Sequence, residues 1–177
     1  MVCLYVFALQ TEHSEKEYSD DGADRGIHNG HPEAVLICSL VVEAVYAEKD
    51  EYCAAVRERI EHKIAAVVKY AQLAKQWGFD GVEIHGHHWG YLLDQFAMAY
   101  TNHRTDEYGG DLDGRLTFAR KIITGIKEAC SKDYPVSMRL CMKTYMKGYN
   151  QPSLNGDGEV GRDIDEAIEI AKRYEQY

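Results

Sequence analysis

Residues 79–110 read FDGVEIHGHHWGYLLDQFAMAYTNHRTDEYGG. Val82-Glu83-Ile84 is a short apolar run that suits a buried strand. His85, His87, His88, Trp89 and Tyr91 follow at once. In α/β folds, ligands bind and chemistry is done at the carboxyl ends of strands. A strand that delivers three histidines and a tyrosine from that end has the make-up of part of an active site.

The flanks carry the same architecture outward. Residues 51–77 predict a helix, with Ile60, Ile64, Val67, Val68, Ala71 and Ala74 at helical spacing and Gly78 at the C-cap. Residues 79–84 then form the strand. A second helix is expected over about Asp113 to Cys130, with Leu116, Ala119, Ile122, Ile123 and Ile126 on one stripe. Residues 134–140, YPVSMRL, read as the next strand, and a loop rich in Gly and Asn spans about 145–161. A last helix runs from about Asp163 to Tyr174, with Asp163 and Glu166 at capping-box spacing. The order helix-strand-helix-strand-helix fits βα repeats around a parallel sheet. Ahead of it, residues 2–10 predict a strand and the polar residues 11–31 a mobile loop. Residues 34–47, AVLICSLVVEAVYA, lack clean periodicity and leave buried strand and buried helix both open.

Bulk properties exclude several classes. The chain has 177 residues, 45% hydrophobic and 28% charged, which is the make-up of a globular protein with a real core. A net charge of -9 argues against nucleic acid, since no basic stripe is present to neutralise phosphates. No window reaches the ~18 apolar residues of a membrane span. The opening MVCLYVFALQTEHSEK has no basic n-region, so the cytoplasm is the expected compartment. The five cysteines form no C-x-x-C, so neither a zinc ribbon nor an iron–sulfur cluster is expected.

The 79–110 stretch resembles the NADH:flavin oxidoreductase family, the Old Yellow Enzyme group of FMN-containing ene-reductases. The residues that carry the likeness are the strand DGVEIH, the Gly90-Tyr91-Leu92-Leu93 run, and the loop from Thr101 to Gly110, TNHRTDEYGG. Trp89 stands between His88 and Gly90. That longer spacing resembles the 2-enoate reductases and the bile-acid-operon reductases. The likeness runs from about Ile64 to Arg173, and residues 34–47 fall outside it. It implies an α/β fold: residues 1–177 as a single, incomplete FMN-type TIM (β/α)8 barrel domain, since a whole barrel needs roughly 250 residues.

The resemblance also implies roles. His85 and His88 align with the pair that grips a substrate carbonyl and touches the flavin. Tyr91 resembles the proton donor to the α-carbon. Arg139 resembles the arginine beside the flavin pyrimidine edge, and Gln10 a glutamine that bonds the flavin ring. The implied reaction is reduction of an activated C=C bond of an enone, enoate or thioester, with FMN as cofactor and NAD(P)H as electron donor. Arg104, Asp106, Tyr108 and Arg115 are read instead as a loop that holds itself together, and the family has an Asn where this chain has Gly114. FMN retention by this chain alone is expected to be weak, and exposed sheet edges to promote self-association. Two other readings compete: a non-catalytic remnant or partner-dependent module, and a metal-binding domain built on His85, His87, His88 and His103. Against the metal stands strand alternation, which places His85 and His88 on opposite faces of an extended chain.

Overall fold

A computed structural model of the chain describes residues 3–7, 50–88, 91–148 and 151–177, with the backbone alone for 3–7 and 50–55. Gln10, Trp89, the expected loop at 11–31 and the apolar stretch at 34–47 lie outside the described residues. The elements are β1 (Cys3–Phe7), α1 (Asp50–Gln76), β2 (Gly81–His87), α2 (Leu92–Ala97), α3 (Leu112–Arg115), α4 (Thr117–Ala129), β3 (Val136–Leu140), β4 (Met146–Gly148), β5 (Gln151–Pro152) and α5 (Ile164–Tyr174).

The long helix α1 buries Val56, Ile60, Ile64, Val67, Ala71 and Ala74 along one stripe. It stops where the sequence predicts. Gly78 takes φ +86°, and the amides of Gly78 and Phe79 return to the carbonyls of Lys75 and Ala74. That pair of bonds is a Schellman cap, and it satisfies carbonyls the helix leaves open. The stripe meets Phe118, Ala119, Ile122, Ile123 and Ile126 of α4, and both helices cover Val82 and Ile84 of β2. The helix expected over 113–130 is broken at Leu116, which leaves a short α3 capped by the Asp111 side chain.

The main sheet has the order β1-β2-β3. β2 and β3 run parallel, with Ile84 opposite Met138 and His87 opposite Leu140. β1 departs from the all-parallel expectation: it pairs antiparallel with β2, Cys3 opposite His85 and Phe7 opposite Gly81. An antiparallel ladder is slightly more stable per residue, and it covers the edge β2 would otherwise expose. The 145–161 stretch is a loop only in part, since β4 and β5 pair as a small antiparallel ribbon within it.

One irregularity positions everything that follows. Between Ile84 and His87, β2 spends three steps while β3 spends two, from Met138 to Leu140. That is a β-bulge, which re-aims the side chains beyond it. Gly86 sits inside it, and a Cβ there would lie 1.9 Å from the Met138 sulfur. Only glycine lets the two strands approach this closely without moving Met138.

Candidate active site

The two faces of the sheet differ in chemistry. Val82 and Ile84 turn to the helices and pack in the core with Val136 and Met138. The opposite face carries Glu83, His85, Ser137 and Arg139. Ser137 Oγ donates to Glu83 Oε2 at 3.3 Å, and Arg139 Nε lies 3.8 Å from Glu83 Oε1. A polar second face on a central strand suits a ligand better than a core.

At the carboxyl end of β2 three of the sequence-predicted residues come together. The His85 and Tyr91 rings meet edge-on with centroids 4.6 Å apart. His85 and His88 lie 5.1 Å apart, also edge-on, and His88 and Tyr91 6.2 Å apart. His85 is buried, Tyr91 half-buried and His88 exposed, so the cluster grades from protein to solvent. The expectation that His85 and His88 take opposite faces is overturned. β2 ends at His87, the bulge has already altered the alternation, and a turn at His88 folds the chain back. Among the described residues, no group of three His, Cys, Asp or Glu side chains could hold a metal ion.

Burial lowers the His85 pKa from its ordinary value, helped by the charges of Arg139 and His88 and opposed by Glu83. The ring is therefore neutral at neutral pH and keeps one N–H to donate. Arg139 adds an exposed cation on the same face. Tyr91 is the N-cap of α2, and its side chain makes no capping bond.

His87 does not join this cluster. The bulge turns it to the helix side, where it is 1% exposed. Its Nδ1 lies 3.2 Å from the Leu93 carbonyl, which can only accept, so Nδ1 carries the proton. Nε2 then accepts from the Tyr174 hydroxyl, and the two rings stack. Burial first, and the Arg162 charge second, lower the His87 pKa to about 4, against the pull of Asp94 and the Leu93 carbonyl. The folded value lies below the unfolded value near 6.5, so the unfolded chain binds this proton more tightly. Stability from neutral His87 is whole above about pH 6.5 and drains away as pH falls towards 4. The ring proton signals of His87 are expected to stay flat from pH 7.5 to pH 5. A midpoint near 6.5 in the NMR titration would contradict the buried placement.

Sequence reasoning missed the group that packs around His87. Asp94 and Arg162 form an ion pair at 2.5 Å with both side chains fully buried. An acid inside the apolar turn LLDQFA was the available signal, since a buried carboxylate demands a partner.

The loop from Thr101 to Gly110 does hold itself together, and it also fastens the helices. Arg104 pairs with Asp106, and Asn102 bonds the carbonyls of Phe96 and Tyr108 at 2.6 and 2.8 Å. The Tyr108 hydroxyl donates to Glu61 of α1, and Lys121 of α4 donates to both. Arg115 reaches the Ala97 carbonyl at 2.7 Å and Glu166 of α5 at 2.7 Å. Glu166 thus gives its carboxylate to Arg115, while the Asp163 side chain caps the Glu166 amide as expected. At Gly114, a Cβ would lie 2.0 Å from the Gly109 carbonyl oxygen, so that carbonyl fills the space an Asn side chain would enter.

Residues 13–171 match the pattern of the NADH:flavin oxidoreductase / NADH oxidase family. The chain belongs to this family. The match corrects the narrower range read from the motifs, because it begins at residue 13 and takes in 34–47. Residues 34–47 carry no clean periodicity and no motif of their own. The cinnamate reductase of Clostridium sporogenes is 49% identical over 117 residues, which are 65% of this chain and 18% of that protein. Among solved structures, a 2-naphthoyl-CoA reductase in complex with 2-naphthoyl-CoA matches with a TM-score of 0.57 and 37% identity. It covers 68% of this chain and 16% of that one. The Old Yellow Enzyme of Pichia sp. AKU4542 gives a TM-score of 0.53 and 34% identity over 67% of this chain and 29% of its own. The chain spans less than a third of the length of these flavin oxidoreductase relatives. Its fold is a part of their (β/α)8 barrel. Among the described residues, no helix is long and apolar enough to cross a membrane.

Proposed function

We propose that the chain is part of a flavin-dependent ene-reductase that reduces an activated C=C bond of an enone, enoate or thioester. The observation that carries this reading is the convergence of His85, His88 and Tyr91 at the carboxyl end of β2, with His85 and Tyr91 4.6 Å apart. Two relatives, a cinnamate reductase and a 2-naphthoyl-CoA reductase, support the conjugated acid and thioester part of that range.

The polar sheet face suits FMN. Arg139 is half exposed there and only loosely paired, at 3.8 Å from Glu83, so its charge is available to a ligand. Arg139 and His85 are the residues that would hold the cofactor. FMN, when bound, supplies the hydride, and NAD(P)H is the electron donor that replenishes it. The chain's own groups do the rest. His85 and His88 donate to the substrate carbonyl oxygen, which gains negative charge as the β-carbon is reduced. Fixed donors at that oxygen lower the barrier. Tyr91 delivers a proton to the α-carbon, the general-acid task its phenol hydroxyl can perform.

Titration of FMN fluorescence tests the cofactor reading. The described residues present one wall of a site, so no flavin is expected to survive purification, and added FMN is expected to bind weakly and saturably. Arg139→Ala should weaken that binding further. Unsaturable quenching, or identical titrations for both proteins, would sink the reading. A stoichiometric yellow protein straight from purification would show that the wall retains flavin unaided.

A further inference from the structure

We propose that Arg162 is the positioning residue for the His85, His88 and Tyr91 cluster. Arg162 lies at the end of the loop between β5 and α5, one residue before the N-cap of α5, and is 2% exposed. Its guanidinium ties together three ends that meet at the site. Nη2 pairs with Asp94 in the first turn of α2, the helix that Tyr91 caps. Nη1 donates to the carbonyl of Cys141, the first residue after β3, at 3.2 Å. The same nitrogen lies 3.5 Å from the carbonyl of His87, the last residue of β2 and the neighbour of His88. The His87 carbonyl also accepts the Cys141 amide at 2.7 Å, so Arg162 sits on the last rung of the β2–β3 ladder.

The geometry explains why such a clamp is needed. Beyond the last rung at His87 no strand ladder is left to fix the direction of the chain. His88 then depends on a tight turn, with its amide on the Gly86 carbonyl and its own carbonyl on the Tyr91 amide. A turn alone fixes local shape and leaves its tilt against α2 open. A planar guanidinium with a fixed fork of donors sets that tilt, because it must satisfy a carboxylate and strand carbonyls at once. A buried ion pair seldom adds stability over an apolar filling of the same volume. Its use here is to select one arrangement of β2, β3 and α2. Catalytic groups in general must be held to within about 0.5 Å of a productive geometry, so the selection matters for chemistry.

The proposal rests on reading those three side chains as substrate-facing. Its test uses ring geometry in the flavin-free chain, so a failure to bind flavin would sink that reading and leave this test intact. Two variants of the whole chain are compared with wild type by NMR. Arg162→Lys keeps the charge and loses the fork. The double variant Asp94→Asn/Arg162→Gln leaves no buried charge and loses the fork as well. The control is the contact between Phe96 and Phe118 in the core, whose rings are 5.1 Å apart. The expected result is a retained Phe96–Phe118 cross-peak, loss of the His85–Tyr91 cross-peak, and a rise of the His85 titration midpoint towards that of a solvated histidine. Either variant that keeps both cross-peaks and the midpoint overturns the proposal. Loss of the core cross-peak in both variants also overturns it, since Arg162 would then hold the fold at large. If only one variant keeps its core, that one decides.

Discussion

Asp94→Asn is expected to lower the unfolding free energy by about 3–5 kcal/mol, the scale for removing one partner of a buried pair. The substitution barely changes volume. It removes the charge that answers Arg162, and both side chains are fully buried. A guanidinium left in the interior cannot shed its proton, so it must drag in water or force the segment open. A loss of that size is a large share of the 5–15 kcal/mol typical of a domain. The double variant Asp94→Asn/Arg162→Gln should lose far less, because it buries no charge. Urea unfolding of the four proteins of this cycle measures the coupling. A cost below about 1 kcal/mol for Asp94→Asn would show that the pair is hydrated rather than buried.

The second large effect is kinetic and belongs to Tyr91. In a flavin-loaded protein, Tyr91→Phe should slow the half-reaction that consumes an enone or enoate by roughly 100-fold, the scale for one general acid. The ring remains, so its edge contact with His85 survives. The half-reaction that consumes NAD(P)H needs no such proton and should keep its rate. Rapid mixing separates the two halves. Equal rates in both proteins would mean that the proton reaches the α-carbon from another group.

The sequence made the scaffold legible where a pattern repeats or a cap marks an end. The stripe from Ile60 to Ala74 fixed α1, and Gly78 fixed its end by the one cap that requires a positive φ. The histidine-tyrosine cluster was legible as a set of residue types at a strand end. Its geometry was not. Strand alternation placed His85 and His88 apart, and the bulge at Gly86 reversed that outcome. A bulge adds a single residue to one strand, and nothing in the local hydrophobic pattern announces it. The Asp94–Arg162 pair was only half legible. An acid inside the apolar stretch LLDQFA asks for a partner. The two members are 68 positions apart, however, and Arg162 alone reads as an ordinary charged residue. Gln10 shows the opposite limit, a role given by resemblance alone at a position outside the described residues.

The sheet's unequal faces carry a thermal consequence. Val82, Ile84, Val136 and Met138 are shielded on the helix side, whereas Glu83, Ser137 and Arg139 are already partly hydrated on the other. Unfolding therefore wets new hydrocarbon from one side of the sheet only. The heat-capacity increment should fall below the ~12–15 cal/mol/K per residue of ordinary domains. A smaller increment flattens the curve of stability against temperature. Such a chain melts over a broad range and has little tendency to denature in the cold. A ligand filling the polar face would leave that curvature nearly unchanged and lift the whole curve, by an amount set by its concentration relative to its dissociation constant.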